Sequence, residues 1–183
     1  MRAAVEVMGE DGYEGASMRD MAARAGVSVA ALYYHFPSKL DLLREFLDEA
    51  YEVTISRIER RLERTPNTPM ARLDEIVATL IASHLHDEFA QLASNVAFRE
   101  YTRLNPPERA AIEVRRKDLL DLVESVVAAG VQTGEFTTEE PREAARAIIT
   151  LATSLVEPYV EMDRTMPQVI ALYQGFARGI ATS

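Results

Sequence analysis

Hydrophobic positions along the chain recur mostly at spacings of three and four residues, the period of an amphipathic helix. Strict alternation, which is typical of a half-buried strand, is not seen. The pattern predicts helices over about residues 39–64, 70–86, 89–104 and 107–132, then one that opens at Pro141 and is kinked near Pro158, and a last one that starts at Thr165 and Pro167. The sequence therefore predicts an all-α fold.

Two short helices precede residue 39, and both have clear end signals. Ser17 is followed three residues later by Asp20, which favours reciprocal capping of a helix start. Gly26 ends this helix where a left-handed residue is least costly, and Ser28 can cap a second helix that runs through Tyr34. Two short helices joined by a turn containing glycine are typical of a helix-turn-helix, a DNA-binding element.

The second short helix divides its side chains between two faces. Leu32 and Phe36 lie four residues apart and are the expected inward anchors. The other face carries Val29, Ala30 and Tyr33, with Tyr34 and His35 at its rim. We interpret the two tyrosines as hydroxyl donors to DNA phosphates. The alternative is that both are core aromatic residues.

A longer set of residues at fixed spacing surrounds these two helices. It consists of Gly12-Tyr13, Ser17, Arg19-Asp20-Met21-Ala22, Ala25-Gly26-Val27-Ser28, Leu32-Tyr33-Tyr34-His35-Phe36 and Ser38-Lys39. This set resembles the DNA-binding motif of the tetracycline-repressor (TetR) family of bacterial transcriptional regulators, over about the first quarter of the chain. The resemblance implies a three-helix helix-turn-helix domain, placed at residues 1–46, and a helical ligand-binding and dimerisation domain at residues 47–183.

The resemblance also implies an operator in double-stranded DNA as the partner of this motif. The expected DNA-binding residues are Ser17, Arg19, Ser28, Val29, Ala30, Tyr33, Tyr34, His35 and Lys39. Of these, Val29, Ala30 and Tyr33 are expected to face base edges, and the two serines, Tyr34, His35 and Lys39 to hold phosphates. For Lys39 the alternative is an ordinary solvated lysine. Because the recognition face carries no Arg, Asn or Gln, we expect contacts to thymine methyl groups and recognition of DNA shape.

The net charge of the chain gives little support to the prediction of a nucleic-acid partner. The formal net charge is −9, and residues 1–46 contain more acidic than basic side chains. Bulk charge is a weak guide when a small DNA-binding face lies on a larger acidic body. We therefore expect binding through local hydroxyls, main-chain amides and a few cations, with modest non-specific affinity.

Length and composition restrict the kinds of protein that this chain can be. A chain of 183 residues with 48% hydrophobic residues can form one or two compact domains with a substantial core. No apolar run approaches the roughly 18 residues needed to span a membrane, and no secretory signal precedes the first helix. Cysteine is absent, which excludes disulfides and thiolate metal sites. These features suit a cytoplasmic protein. The segment with Ala3, Ala4, Val5, Val7 and Met8 predicts a first helix that starts without a cap, so we expect residues ahead of it to be missing from this numbering.

Signals for an enzyme or a metal site are weak. None of the three histidines has a Glu three residues before it, as helical di-iron sites require, and a Gly-rich phosphate loop is absent. The run His84-Leu85-His86-Asp87 suggests metal ligands, but residues two apart on a helix point in different directions. We expect no enzyme, no cofactor and no bound metal.

Polar residues interrupt the apolar stripes of the C-terminal helices, as in cavities that orient a small molecule. The expected ligand contacts are His84, Asn95, Arg99 and Tyr159, with Phe89, Phe98, Leu122 and Val126 as walls. The alternatives are a satisfied core histidine, an interhelical hydrogen bond by the asparagine and a surface arginine. The apolar lining favours a small hydrophobic ligand. Further candidates for an anionic tail, such as that of a coenzyme A thioester, are Arg109, Arg115, Arg116 and Lys117.

The last two predicted helices have broad apolar faces with small residues. These are Ala144, Ala147, Ala171, Gly175 and Gly179. The resemblance implies that these helices pair with those of a second subunit, which would present two recognition helices to major grooves about 34–36 Å apart on a palindromic site. The alternative is that they only close the monomer core. The sequence thus predicts a homodimeric, ligand-responsive repressor. The alternative function is a helical ligand-binding or protein-interaction module without operator binding.

Overall fold

The computed structural model describes residues 1–85, 88–154 and 164–183. Within these ranges the chain forms nine helices and no strand, so the all-α prediction is confirmed. The helices are α1 (Arg2–Gly15), α2 (Met18–Ala25), α3 (Val29–His35), α4 (Lys39–Leu62), α5 (Pro69–Leu85), α6 (Glu88–Arg103), α7 (Pro106–Thr133), α8 (Pro141–Thr153) and α9 (Met166–Ala181).

The predicted helix ends agree with the structure to within a few residues. Pro141 occupies the first turn of α8, where its missing N–H costs nothing. The Thr165 amide donates to the side chain of Gln168 at 2.8 Å and closes the start of α9. Helix α1 is broken before its last turn at Gly12, which has a φ of 72°, and the sequence pattern did not predict this break. The predicted kink at Pro158 lies outside the described residues.

The chain divides into two compact units. The first comprises Met1–Ala50 and Asp87–Val114, and the second comprises Tyr51–His86 and Arg115–Ser183. Helix α6 lies beyond residue 46 in the sequence, yet it packs with α1 in the first unit. The domain boundary at residue 46 stays a prediction.

The first unit is built around α1. This helix packs against α2 and α6, and α2 packs against α3. The buried apolar side chains include Val5, Met8, Met21, Leu43, Leu47 and Val96. They follow the helical period predicted for α1, α2 and α4, so one apolar stripe of each helix faces this core.

The second unit is built around α5, which packs against α8 and α9, and these two helices also pack on each other. Its core contains Ile58, Leu73, Ile76, Leu80, Val123, Val127, Phe136, Ile148 and Val169. Arg178 of α9 holds Asp74 of α5 through two hydrogen bonds, at 2.9 and 2.5 Å. This bidentate pair attracts the two helices and also favours one register between them.

Candidate nucleic-acid interface

Helix α2 begins and ends as local sequence dictates. The Ser17 Oγ accepts a hydrogen bond from the Asp20 amide at 3.2 Å, and its proton is donated to the Asp20 carboxylate. Gly26 then adopts a left-handed conformation with φ of 69°. Its amide donates to the Ala22 and Ala23 carbonyls and so satisfies the end of the helix.

Helix α3 is a seven-residue helix held at both ends. The Ser28 Oγ accepts from the Ala31 amide at 3.1 Å, and the Phe36 amide donates to the Leu32 carbonyl at 2.9 Å. The Ser28 side chain accepts in this cap, so its hydroxyl proton can still be donated to another partner. The caps predicted at Ser17 and Ser28 are confirmed, but the capping by Asp20 is not reciprocal, because its carboxylate accepts from the Ser17 hydroxyl rather than from the Ser17 amide. The contacts of both serines with phosphate stay predictions.

The outer face of α3 is open to solvent. None of the residues from Val29 to His35 is buried. Tyr33 is 48% exposed and Tyr34 is 85% exposed, so the alternative that both are core residues is wrong. Ala30 and His35 are exposed and Val29 is half-buried, while Leu32 and Phe36 are half-buried against the unit. The structure thus exposes Ala30, Tyr33, Tyr34 and His35 of α3, and their contacts with DNA stay predictions.

Lys39, the first residue of α4, has partners that the sequence did not predict. Its Nζ donates to the Tyr13 carbonyl, to the Ala16 carbonyl at 3.0 Å and to the Glu14 carbonyl at 3.4 Å. It also lies 4.3 Å from the centre of the Tyr13 ring. Lys39 is therefore tied to the end of α1, and the alternative of an ordinary solvated lysine is wrong. Its phosphate contact stays a prediction.

The charges near α2 are partly compensated within the unit. Arg24 holds the Glu10 carboxylate through two hydrogen bonds, at 2.9 and 2.6 Å, and lies 3.7 Å from Glu6. The Arg24 guanidinium lowers the pKa of Glu10 and keeps it ionised. Arg19 is exposed on the same helix. Much of the Arg24 charge is thus offset by the carboxylates of α1.

The residues expected to contact a ligand are divided between the two units. Phe89, Asn95 and Arg99 belong to the first unit, and His84, Leu122 and Val126 belong to the second. Tyr159 and the side chain of Phe98 lie outside the described part of the structure.

In the first unit, two of these candidates make contacts with α1. Arg99 donates from its Nε to Glu100 at 2.7 Å and from its second amino group to the Met8 carbonyl at 2.7 Å. The Phe89 ring lies 3.8 Å below the guanidinium of Arg2. Asn95 is half-buried. Arg99 therefore has structural partners whether or not a ligand binds.

In the second unit, His84 is the candidate with the most defined environment. Its Nδ1 lies 2.6 Å from the Leu80 carbonyl, which can only accept, so Nδ1 carries a proton. Burial lowers the pKa of His84, more than this hydrogen bond raises it. The ring is therefore neutral near pH 7 and its Nε2 is an acceptor.

Leu122 and Val126 are one turn apart on α7 and both contact the core of the second unit, but they differ in burial. Val126 is buried in the core. Leu122 lines an open cavity of about 330 Å³ together with Ile55 and Arg115. The other lining residues are Glu52, Ser56, Glu59 and Asp118. Arg115 lies 3.5 Å from Glu52 and 3.7 Å from Asp118, so this cavity is acidic around one compensated cation.

Two models of known families match the chain. A model of bacterial regulatory proteins of the tetR family matches residues 1–46, and a tetracyclin-repressor-like C-terminal domain matches residues 66–167. The chain belongs to the TetR family of transcriptional regulators. The first match contains every residue that we expect to bind DNA, and the second contains every expected ligand-binding residue.

Individual TetR-family proteins are similar to this chain over most of its length. The repressor KstR of Mycolicibacterium smegmatis is 32% identical over 149 residues, which are 80% of this chain and 67% of that protein. The fold also matches FadR from Bacillus subtilis in complex with stearoyl-CoA, with a TM-score of 0.82, 22% identity and coverage of 98% and 94% of the two chains. It matches AibR in complex with isovaleryl coenzyme A and operator DNA, with a TM-score of 0.81, 22% identity and coverage of 96% and 94%.

Two further findings on the described residues of this TetR-family chain concern metal ligands and membrane-spanning helices. In those residues no group of three or more His, Cys, Asp or Glu side chains is arranged to hold a metal ion. No helix within the described ranges has the length and apolar character that crossing a membrane requires.

Proposed function

We propose that this protein is a homodimeric repressor that binds a palindromic operator and is released from it by a small hydrophobic ligand, an acyl-coenzyme A thioester. The observation that supports operator binding most directly is the exposed face of α3. A seven-residue helix with no buried residue gains little from burial, yet it is capped at both ends and presents two exposed tyrosines. Such a surface suits a macromolecular partner.

The composition of α3 supports a particular kind of DNA recognition. Val29, Ala30 and Tyr33 face the base edges in this proposal, where Val and Ala can contact only thymine methyl groups. Ser28, Tyr34 and His35 hold phosphates, and Arg19 adds a cation. Ser17 and Lys39 hold a phosphate only by giving up present hydrogen bonds, those of Ser17 to Asp20 and those of Lys39 to the end of α1. Specificity then depends on methyl contacts and on the shape of the DNA.

The surface of α9 supports pairing with a second copy of the chain. Phe176 is 48% exposed, and it packs edge-on against Tyr173 with ring centres 5.6 Å apart. Space beside Gly175 and Gly179 is open in the single chain, so another helix can approach closely there. We propose that α8 and α9 of two subunits form a four-helix interface and set the spacing of the two α3 helices.

The relatives support the class of ligand. FadR and AibR were each crystallised with an acyl-coenzyme A thioester. In this chain the proposed contacts are His84, Phe89, Asn95, Phe98, Arg99, Leu122, Val126 and Tyr159. A ligand releases the operator only if it binds more tightly to the conformation that does not bind DNA. The cavity beside Leu122 has acidic residues around Arg115, which would repel the phosphates of coenzyme A. We therefore propose that these phosphates bind outside this cavity.

Mobility shift and footprinting with DNA from around the protein's own gene test the operator, with unrelated DNA at equal salt as reference. We expect protection of a palindrome that spans two successive major grooves. The double variant Tyr33→Ala/Tyr34→Ala should lose this protection without loss of stability, because both side chains are exposed. Val114→Ala, at a residue that is 64% exposed outside α3, is the matched control.

Stearoyl-CoA and isovaleryl-CoA, each compared with free coenzyme A and with the free acid, test the ligand. Release of the protein from the operator by a thioester, but not by free coenzyme A or by the free acid, supports the proposal. Protection that persists with every thioester would refute the ligand class while leaving the operator intact. Absence of any specific protection would favour an interaction module without operator binding.

A further inference from the structure

A buried carboxylate lies between α6 and the end of α1. The side chain of Glu100 is 1% exposed, although most glutamates remain in water. A buried charge needs a counter-ion and hydrogen bonds to offset the loss of its hydration. Glu100 receives both, from the Arg99 Nε at 2.7 Å and from the Tyr13 amide at 3.4 Å.

Helix α6 also holds α1 at two further points. Arg99 donates to the Met8 carbonyl at 2.7 Å, one turn before the Gly12 break. At Gly9, an added Cβ would overlap the side chain of Leu92, so the two helices approach each other closely there. Contacts at Leu92, Arg99 and Glu100 therefore fix α1 along much of α6.

The segment held by Glu100 is also held by α4. Gly12 breaks α1, and the next residues lead directly into the Ser17 cap of α2. Tyr13 receives the Lys39 Nζ at its carbonyl, while its amide donates to Glu100. Lys39 donates to the Ala16 carbonyl as well, at 3.0 Å. One residue, Tyr13, thus connects α6 to the first residue of α4, and the connection ends beside the start of α2.

We propose that Glu100 and Arg99 are positioning residues for DNA recognition. They act through Tyr13 and set the direction in which the chain enters α2 and α3, although neither side chain contacts DNA. The proposal rests on operator binding by α3. Because binding linkage is reciprocal, any event that separates Arg99 from Glu100 lowers operator affinity, and operator binding favours the intact pair.

Glu100→Gln tests this proposal, since it keeps the shape of the side chain and removes the charge that Arg99 faces. Glu49→Gln is the matched control because it removes one negative charge from an exposed position on α4. We expect operator affinity of Glu100→Gln to fall at least about fivefold below that of Glu49→Gln, with affinity for unrelated DNA equal in the two. Amide hydrogen exchange at Tyr13 and Ala16 should become faster in Glu100→Gln only.

Equal operator affinity and equal exchange in the two variants would overturn the proposal. If Glu100→Gln does not fold, Arg99→Lys replaces it, since lysine keeps the charge but cannot reach both Glu100 and the Met8 carbonyl. If the wild-type protein binds no operator, the proposed function fails on its own, and exchange at Tyr13 then decides whether α6 anchors this segment.

Discussion

The ring of Phe136 lies directly against the backbone of Gly130 at the end of α7. The Phe136 amide donates to the Gly130 carbonyl at 3.1 Å, and the ring is only 2% exposed. A Cβ added to Gly130 would overlap this ring. The absence of a side chain at Gly130 therefore allows the chain to turn back over α7 and place Phe136 in the core of the second unit.

We expect Gly130→Ala to lower the free energy of unfolding by about 1–3 kcal/mol, the usual cost of overpacking a core. Alanine gains about 1 kcal/mol of helix propensity, which offsets only part of this cost. Urea denaturation measures the difference. The same substitution in a Phe136→Leu background should cost less, because a smaller side chain relieves the overlap. Equal costs in both backgrounds would show that the contact is not the cause.

The buried His84 predicts a dependence of stability on pH. Burial lowers its folded-state pKa below the unfolded value of about 6.5. Between these two pKa values the unfolded chain binds more protons, so the free energy of unfolding rises with pH in that window. The contribution of neutral His84 to the free energy of unfolding is complete above about pH 6.5. It is lost as the pH falls from this value through the lowered folded-state pKa.

His84→Gln should reduce the dependence of stability on pH in this window, when thermal unfolding is measured from pH 5 to pH 8 and stability is plotted against pH. His35→Gln is the control, because it makes the same substitution at an exposed histidine on α3. A curve for His84→Gln that runs parallel to the wild type over the whole range would contradict the prediction.

The composition of α3 predicts how Val29→Ala changes recognition. Loss of two methyl groups removes apolar contact with a thymine methyl, worth about 1 kcal/mol. We expect relaxed specificity at one symmetric pair of operator positions, measured by binding to a library of operator variants. Tyr34→Phe should instead weaken all sequences by a similar factor, because a phosphate contact carries no sequence information. An unchanged operator preference in Val29→Ala would count against methyl recognition.

The exposed ring on α9 predicts the effect of a charge in the proposed dimer interface. Phe176→Glu should give monomers in sedimentation experiments, since an unpaired carboxylate is costly to bury between subunits. Val114→Glu places the same charge on an exposed apolar residue of the first unit and should leave the dimer intact. If both variants sediment as the wild type does, the pairing of α8 and α9 is excluded.

Much of the fold could be predicted because its signals are local. The caps at Ser17 and Ser28 and the left-handed Gly26 depend on bonds between residues three or four apart, which the order of residues already specifies. The apolar period likewise specified which stripe of α2 or α5 is buried. The same period left Tyr33 and Tyr34 open to two interpretations, and only their exposure in the fold excluded the core.

The partners of Lys39 and Glu100 could not be predicted in this way. Tyr13 is 26 residues from Lys39 and 87 residues from Glu100. A lysine at a helix start and a glutamate within a helix are both ordinary on a solvated surface. Neither carries a local signal of its partner, so their roles emerged only when α1, α4 and α6 were brought together.

By itself the sequence determined the helices, their ends and the family, because capping, backbone preference and the apolar period act over a few residues. Tertiary structure decided which surfaces these helices share. Tertiary packing places α6 in the unit that contains α3 and buries Glu100 against Tyr13. It also packs the Phe136 ring against Gly130. These outcomes depend on shape and charge matching between segments far apart in the chain, and such matching exists only once the helices have packed.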